Sequence, residues 1–441
     1  IDAALEKATD TKACVISEGA LKCIPKLFRE YFEGDFVILI CDPRTLLAAG
    51  ERVEALLTAD GIEVSKFILE PSGKTFHADY FYVDQVRDAI AAAAKNGVYP
   101  VPVSVGSGVI NDLTKRAAGE LNLAYMSVAT AASVDGYSSF GAALRSPEGA
   151  KQTYACPAPR VIVADLDVIR TAPEWMAASG FADLMAKVPA GADWILAYEL
   201  GASIWHESSW HTVQDGLKEA IGDPEGVVAK KTEPLTRFVE GLMLGGFAMQ
   251  DMQSSRPASG AEHLFSHLLE MRDHTYKGEI VPHGIQVGVF TLFMCRVYEQ
   301  ILAFDYTKLD VEKCLENWLP IEEAENLALE AFRSTKFPSL GVTSVRAKFV
   351  DREVTKARLE DFKVRWPQIR ARLVEQLIPS EEIKRRLEVV GAPTSPEAIG
   401  STVEATLSDV RKTIFMRDRY MALDFLALTG QLDEFAAKAL S

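Results

Sequence analysis

The sequence predicts a two-part fold: an α/β nucleotide-binding domain with a mostly parallel sheet over residues 1–172, then an all-α domain over residues 173–441. Three observations carry this expectation. Short apolar runs of strand length alternate with amphipathic helical stretches through the first part, the pattern of βαβ units. One of those runs passes straight into a Gly-x-Gly turn. From Glu174 onward long helical patterns dominate, with few β-rich runs.

Taken in order, Phe36-Val37-Ile38-Leu39-Ile40-Cys41 is continuously apolar, as a strand buried on both faces must be, and it stops at the turn pair Asp42-Pro43. Thr45 to Ala59 reads as a helix closed by Asp60-Gly61, Ile62 to Leu69 as a strand, and Tyr80 to Lys95 as a helix ending at Asn96-Gly97. Val101 to Val105 is a strand, Asn111 to Leu121 a helix, and Ala124 to Ala129 and Val161 to Ala164 are strands. In the second part, Pro173-Glu174 and Ser395-Pro396-Glu397 carry helix-start signals. Residues 350 to 390 hold Arg, Lys and Glu at helical spacing, which reads as a solvated helix face. A cleft between two such domains is a usual place for a small ligand.

Composition narrows the function. Among 441 residues, 62 acidic side chains stand against 47 basic ones, a net charge of −15. Nucleic acids and anionic membrane surfaces are met by basic patches, so neither is expected as a partner. The six cysteines are scattered without a C-x-x-C pair, which suits reduced, buried thiols and a cytoplasmic location. No uninterrupted apolar run reaches the ~18–20 residues of a membrane span, and Ile1-Asp2-Ala3-Ala4 does not read as a signal peptide.

Four of the seven histidines, His263, His267, His274 and His283, fall within 21 residues. His263 and His267 are spaced i, i+4 and share a helix face. Two imidazoles from neighbouring segments with a distant carboxylate make a catalytic metal site with open positions; separate core histidines are the alternative. The Gly106-Ser107-Gly108 turn, between a strand and a helix, suits a pyrophosphate at a helix N-terminus, although it lacks the third glycine of the usual dinucleotide fingerprint. Asp42, at a strand's C-terminal end, is placed for an adenosine ribose or for closing its own turn. His77, His206, His211, Trp205 and Trp210 read as packing residues.

The run Gly106-Ser107-Gly108-Val109-Ile110-Asn111-Asp112-Leu113-Thr114-Lys115 resembles the G-[GS]-G-x-x-x-D-x-x-K signature of the dehydroquinate-synthase-like and iron-containing alcohol dehydrogenase superfamily. Thr130 to Ser139 resembles its next loop in the form found in sn-glycerol-1-phosphate dehydrogenases. Asp165-Leu166-Asp167, Gly180 to Lys187 with Asp193-Trp194, Ser255 to His263 with Ser266-His267, and Pro282-His283-Gly284 follow in family order. Beyond residue 340 only a helical tail is recognisable.

The resemblance implies a dehydroquinate-synthase-like fold and a division of roles. Asp183, His263 and His283 match metal ligands for one divalent ion, zinc or nickel, with iron as an option. Asp135, His267 and Asp183 match the catalytic and substrate-contacting positions. The cofactor contacts would be Gly106, Ser107, Gly108, Val109, Ile110, Asp112, Thr130, Ala131, Ala132, Ser133 and Ser139, with Asp42 on the ribose of NAD, or NADP. Lys187 and Arg256 are the candidate contacts to a substrate phosphate. Val109 stands where family members often have threonine, and Ala132-Ser133-Val134 where they have Pro-Ser-Met. The activity implied is NAD(P)-dependent reduction of dihydroxyacetone phosphate to sn-glycerol 1-phosphate, by a homodimer or larger homo-oligomer. The alternatives are a glycerol (polyol) dehydrogenase, a dehydroquinate-synthase-type lyase and a non-catalytic nucleotide-binding protein.

Overall fold

The computed structural model describes residues 1–71, 76–147, 151–335 and 337–441. By its contacts the chain forms two compact units. The first comprises residues 1–184 and 208–255, the second residues 185–207 and 256–441. Residues 174–184 and 208–255, helical and beyond the change of texture at Glu174, thus belong with the sheet.

The first unit is built on six parallel strands: β1 Ala13–Ser17, β2 Phe36–Cys41, β3 Glu63–Ile68, β4 Val101–Gly106, β5 Met126–Ala129 and, after a hairpin of β6 Ala142–Arg145 and β7 Lys151–Tyr154, β8 Val161–Asp165. Their order is β1-β8-β5-β4-β2-β3, and every neighbouring pair runs parallel. Both faces are covered. Val37, Leu39 and Cys41 enter a core with Phe28, Val53 and Leu57, while Ile38 and Ile40 enter the opposite one with Val83, Val86 and Leu113. That is the physical content of the continuous apolar run in β2. From β2 the chain steps outward to the edge strand β3, then returns to β4 on the other side of β2 and proceeds to β5 and β8. The strand order therefore reverses between β2 and β4. Outside the carboxyl ends of those two strands lies the crevice where open α/β sheets bind ligands.

Most expected elements are present with shifted ends. The helix expected over Thr45–Ala59 is a short turn Pro43–Thr45, a π-helical segment Leu46–Gly50 and an α-helix Glu51–Ala59. Strand β1 was not anticipated, because it is a short, half-buried edge strand without turn signals of its own. The start at Ser395-Pro396 gives only one 3₁₀ turn, Glu397–Ile399, which Gly400 ends in the left-handed conformation at φ 78°. A side chain at Gly400 would also meet the Tyr276 ring, with its nearest atom 2.6 Å from the Cβ.

The second unit is helical. Ala261–Met271 packs beside His283–Ala303, with the Phe265 and Phe290 rings stacked at 4.6 Å. The charged stretch forms Arg352–Gln376 and Ser380–Val389. Among the described residues one helix, His283–Ala303, is long and apolar enough to cross a membrane; 72% of its most apolar window is buried inside the fold.

Candidate functional site

At the switch point in the first unit, Asp42 ends β2 and Gly106-Ser107-Gly108 ends β4. Gly106 must be glycine, because a Cβ there would stand 2.5 Å from Ile110 Cβ. A Cβ on Gly108 would stand 2.9 Å from Val134 Cγ2. The strand thus runs hard against the helix Gly108–Glu120, whose N-terminus has no side-chain cap. Its first N–H groups are left for an anion, the chemistry of a pyrophosphate site. Ser107, Gly108 and Val109 are half-buried there, whereas the Ile110 side chain belongs to the core. Asp42 caps its own turn: Oδ1 accepts from the N–H groups of Arg44 and Thr45, both at 2.8 Å. Oδ2 is not used by the cap. The turn-closing and ribose readings of Asp42 are therefore compatible.

The loop after β5 is buried, with Thr130, Ala131, Ala132 and Ser133 all under 8% exposed. Ala131 O accepts from Tyr137 Oη at 2.6 Å and Ser133 O from Ser179 Oγ at 3.2 Å. A side chain on Gly180 would collide with Ala132 O at 2.2 Å, so Gly180 lets its helix, Glu174–Met185, approach this loop. The same helix carries Asp183, 1% exposed, whose Oδ2 accepts the Asp135 N–H at 3.1 Å. Asp135 itself is half-buried.

Asp112 and Lys115 of the signature are struts in this structure. Asp112 accepts from Ala143 N–H and from Lys115 Nζ, both at 3.2 Å. Lys115 is fully buried and donates to Gly136 O and Gly141 O, both at 3.0 Å. Ser139 Oγ donates to Gly136 O at 3.1 Å, tightening the same loop. Asp165 likewise serves the backbone, accepting from Gly19, Leu21 and Asp167 N–H groups at 3.0–3.1 Å.

In the second unit the loop before His263 is anchored on the helix Lys187–Glu199. Asp193 accepts from Ala261 N–H at 2.8 Å, Ala422 N–H at 2.9 Å and Tyr298 Oη at 2.6 Å. A Cβ on Gly260 would meet Asp193 Oδ2 at 2.7 Å and Ala190 Cα at 2.8 Å, so only glycine lets the loop sit so close. Burial, reinforced by Glu262, pushes the Asp193 carboxyl up to about 6.

From that anchor the helix Ala261–Met271 presents His263 and His267, and Pro282 starts the next helix with His283 as its first residue. The His263 and His283 rings lie 5.4 Å apart, and each offers a ring nitrogen within 4.8 Å of the other's. The His267 ring is 5.6 Å from that of His283. Each imidazole has a carboxylate behind it. His263 Nδ1 is 2.8 Å from Glu262 Oε1; His283 Nδ1 is 3.1 Å from Glu270 Oε1, and His267 Nδ1 3.3 Å from Glu270 Oε2. A carboxylate only accepts, so each Nδ1 carries the proton and each Nε2 keeps its lone pair. This is how metal-binding imidazoles are oriented, and the donor set fits a borderline divalent ion. Burial holds the His267 imidazolium down, to about 3, so the ring is neutral.

Lys187 and Arg256, the candidate phosphate contacts, are 0% and 4% exposed and so are interior residues, not surface ions. Arg256 Nη2 donates to Asp193 O at 3.0 Å. Two cations that the sequence did not single out join it. Arg419 Nη1 donates to Ser259 O at 2.7 Å; its pKa is lowered to about 9 by burial and by the positive charges of Arg256 and Arg417. The Arg417 charge also opposes protonation of His267. Three guanidiniums whose charges oppose one another in a partly desolvated place are a candidate anion site. His274 is removed from the cluster by its bond to Ile399 O at 2.7 Å.

Residues 15–173 match the family model described as iron-containing alcohol dehydrogenase, a class of oxidoreductases. Curated relatives narrow that class. A glycerol-1-phosphate dehydrogenase [NAD(P)+] of Korarchaeum cryptofilum is 34% identical over 262 residues, 58% of this chain and 82% of that protein. One from Bacillus velezensis is 34% identical over 269 residues, 61% of this chain and 67% of that protein. A glycerol dehydrogenase structure from Schizosaccharomyces pombe aligns over 98% of this chain and 91% of its own, with TM-score 0.55 and 18% identity, and so shares the fold. The chain belongs to the glycerol-1-phosphate dehydrogenase family of the iron-containing alcohol dehydrogenases.

Proposed function

We propose that this protein reduces dihydroxyacetone phosphate to sn-glycerol 1-phosphate, with NADH as the preferred hydride donor and one divalent cation, zinc or nickel, held by Asp183, His263 and His283. The observation that carries the reading is the second unit's pairing of two Nε2-directed imidazoles with the buried Arg256 and the half-buried Arg417 and Arg419. One feature suits a carbonyl oxygen, the other a phosphate. The relatives' name, glycerol-1-phosphate dehydrogenase, supports the same substrate.

When bound, the cation polarises the substrate carbonyl and offsets negative charge developing on its oxygen, and the reduced nicotinamide supplies the hydride. The chain's own groups do the rest. The open N-terminus of Gly108–Glu120 receives the pyrophosphate, and Asp42 Oδ2 accepts from a ribose hydroxyl. A carboxylate repels a 2′-phosphate, hence the preference for NADH. Asp135 accepts from a substrate hydroxyl, with its N–H already held by Asp183. Arg256, Arg417 and Arg419 take the phosphate, with Lys187 as a further candidate. Neutral His267, its Nδ1–H on Glu270, leaves Nε2 to accept the alcohol proton in the oxidative direction. Scattered free cysteines support a reducing compartment, the cytoplasm.

The nest of arginines disfavours an unphosphorylated polyol as substrate. One assay decides between them. Dihydroxyacetone phosphate and NADH are supplied with zinc or nickel, NADH loss is followed, and the enantiomer of the product is determined. Turnover of glycerol with NAD and none of the phosphate ester would overturn the proposal. Equal kcat/KM with NADPH and NADH would overturn the cofactor preference alone.

A further inference from the structure

Apart from Arg417 and Arg419, the helical stretch beyond residue 310 has no part in the proposed reaction, yet together with Leu200 and Ala202 it lines an open cavity of about 230 Å³ within the second unit. Trp318, Val345, Phe349, Leu359 and Phe415 make its wall predominantly apolar. Its volume is below the ~300–1,000 Å³ that houses drug-sized ligands, which points to a ligand smaller than a dinucleotide.

Its polar groups are few. Lys348 Nζ and Asp424 Oδ1 pair at 2.6 Å with both side chains under 10% exposed, so their charges cancel. Arg358 and Tyr420 also line the cavity, from separate elements. Neither has a hydrogen bond or ion pair with any described residue. Burial, and then the Asp424 charge, raise the Tyr420 hydroxyl, which therefore stays a donor at neutral pH. One net positive charge and one hydroxyl donor thus stand at an otherwise apolar hollow. A phosphate dianion would leave a charge unmet there, whereas a carboxylate accepts bidentately from a guanidinium and once more from a phenol.

We propose that this cavity binds a medium-chain carboxylate, with its apolar chain along the Trp318–Leu359 wall and its head on Arg358 and Tyr420. The proposal does not rest on the dehydrogenase reading and can be tested without turnover. Octanoate is titrated into the full chain by calorimetry, with octanamide as the neutral analogue and the Arg358→Gln and Tyr420→Phe variants alongside. The expected result is saturable 1:1 binding of octanoate, about tenfold weaker in Arg358→Gln. Octanamide binds the wild type about tenfold more weakly than octanoate and is indifferent to Arg358→Gln. Tyr420→Phe, which removes only the hydroxyl, weakens octanoate by a smaller factor. Absence of saturable octanoate binding to the wild type overturns the proposal. Equal octanoate affinity in wild type and a folded Arg358→Gln, or equal affinity for acid and amide, overturns it as well.

Discussion

At the scale of single residues, the carboxylates behind the histidines matter as much as the imidazoles. Glu270 accepts from two rings at once, His283 through Oε1 and His267 through Oε2. An amide in its place offers one acceptor and one donor, so one imidazole must change tautomer and turn an N–H towards the site. Glu270→Gln is expected to weaken zinc binding about 10–100-fold in a chelator competition, with near-native circular dichroism; an unchanged zinc affinity would remove Glu270 from the design. His263→Ala should lower bound metal and activity together, as read by elemental analysis of the purified variant. Arg417→Gln should raise KM for dihydroxyacetone phosphate with little change in the dissociation constant for NADH. Asp193 makes a pH-dependent contribution. Its folded pKa is raised to about 6 by burial, so the stability this group provides is present below its ordinary pKa of 3.8 and lost as pH rises through 6. At about 1.4 kcal/mol for each tenfold change in proton affinity, that difference corresponds to about 3 kcal/mol. Relative to an Asp193→Asn variant, which does not titrate, the wild type should lose up to that amount between about pH 4 and pH 7.5 in urea unfolding.

At the scale of elements, the sequence was most legible where an element is buried on both faces. Strand β2 is found at Phe36–Cys41, the bounds of its apolar run, because covering both faces leaves no polar alternation to blur its ends. Strand β1 was illegible because an edge strand shows one half-covered side and its pairing with β8 is set by tertiary contact. The His263, His267 and His283 cluster was readable from spacing, since a helix and a following turn bring those positions together. Glu270 had a weak signal, three residues after His267 on the same helix. Arg417 and Arg419 had none, because only the fold carries residues so far downstream back to Ser259. Gly106 is the sharpest element-level test. The atom in the way of a new methyl is Ile110 Cβ itself, so no truncation of Ile110 short of glycine makes room. Gly106→Ala should cost about 1–3 kcal/mol of stability and weaken NADH binding measured by fluorescence; normal affinity in a stable variant would contradict the tight strand–helix packing.

At the scale of the whole molecule, the parallel sheet depends on chain that lies far downstream. Gln250, on the helix Thr232–Met252, accepts from the Asp10 N–H at 3.1 Å and donates to Thr11 Oγ1 at 2.9 Å and to Ser138 O. Gly246 on the same helix leaves no room for a side chain against Ser138, 2.1 Å from the place of its Cβ. A fragment of residues 1–172 should therefore show no cooperative unfolding transition, and one of residues 1–255 should regain it. Cooperative melting of the shorter piece would show that the returning segment is dispensable. The net charge of −15 is compatible with the proposed anionic ligands, because a helix end and a local group of arginines would receive them.

The double use proposed for Asp42 bears on how cofactor choice can drift. One oxygen closes the Pro43–Thr45 turn, so a substitution that relieves repulsion of a 2′-phosphate also removes a cap unless the newcomer supplies its own oxygen. Serine and asparagine do; alanine does not, and loses about 1 kcal/mol. Any route from one dinucleotide to the other is therefore expected to pass through that narrow set of replacements. A polar side chain would come first at position 42, and a cation nearby only afterwards.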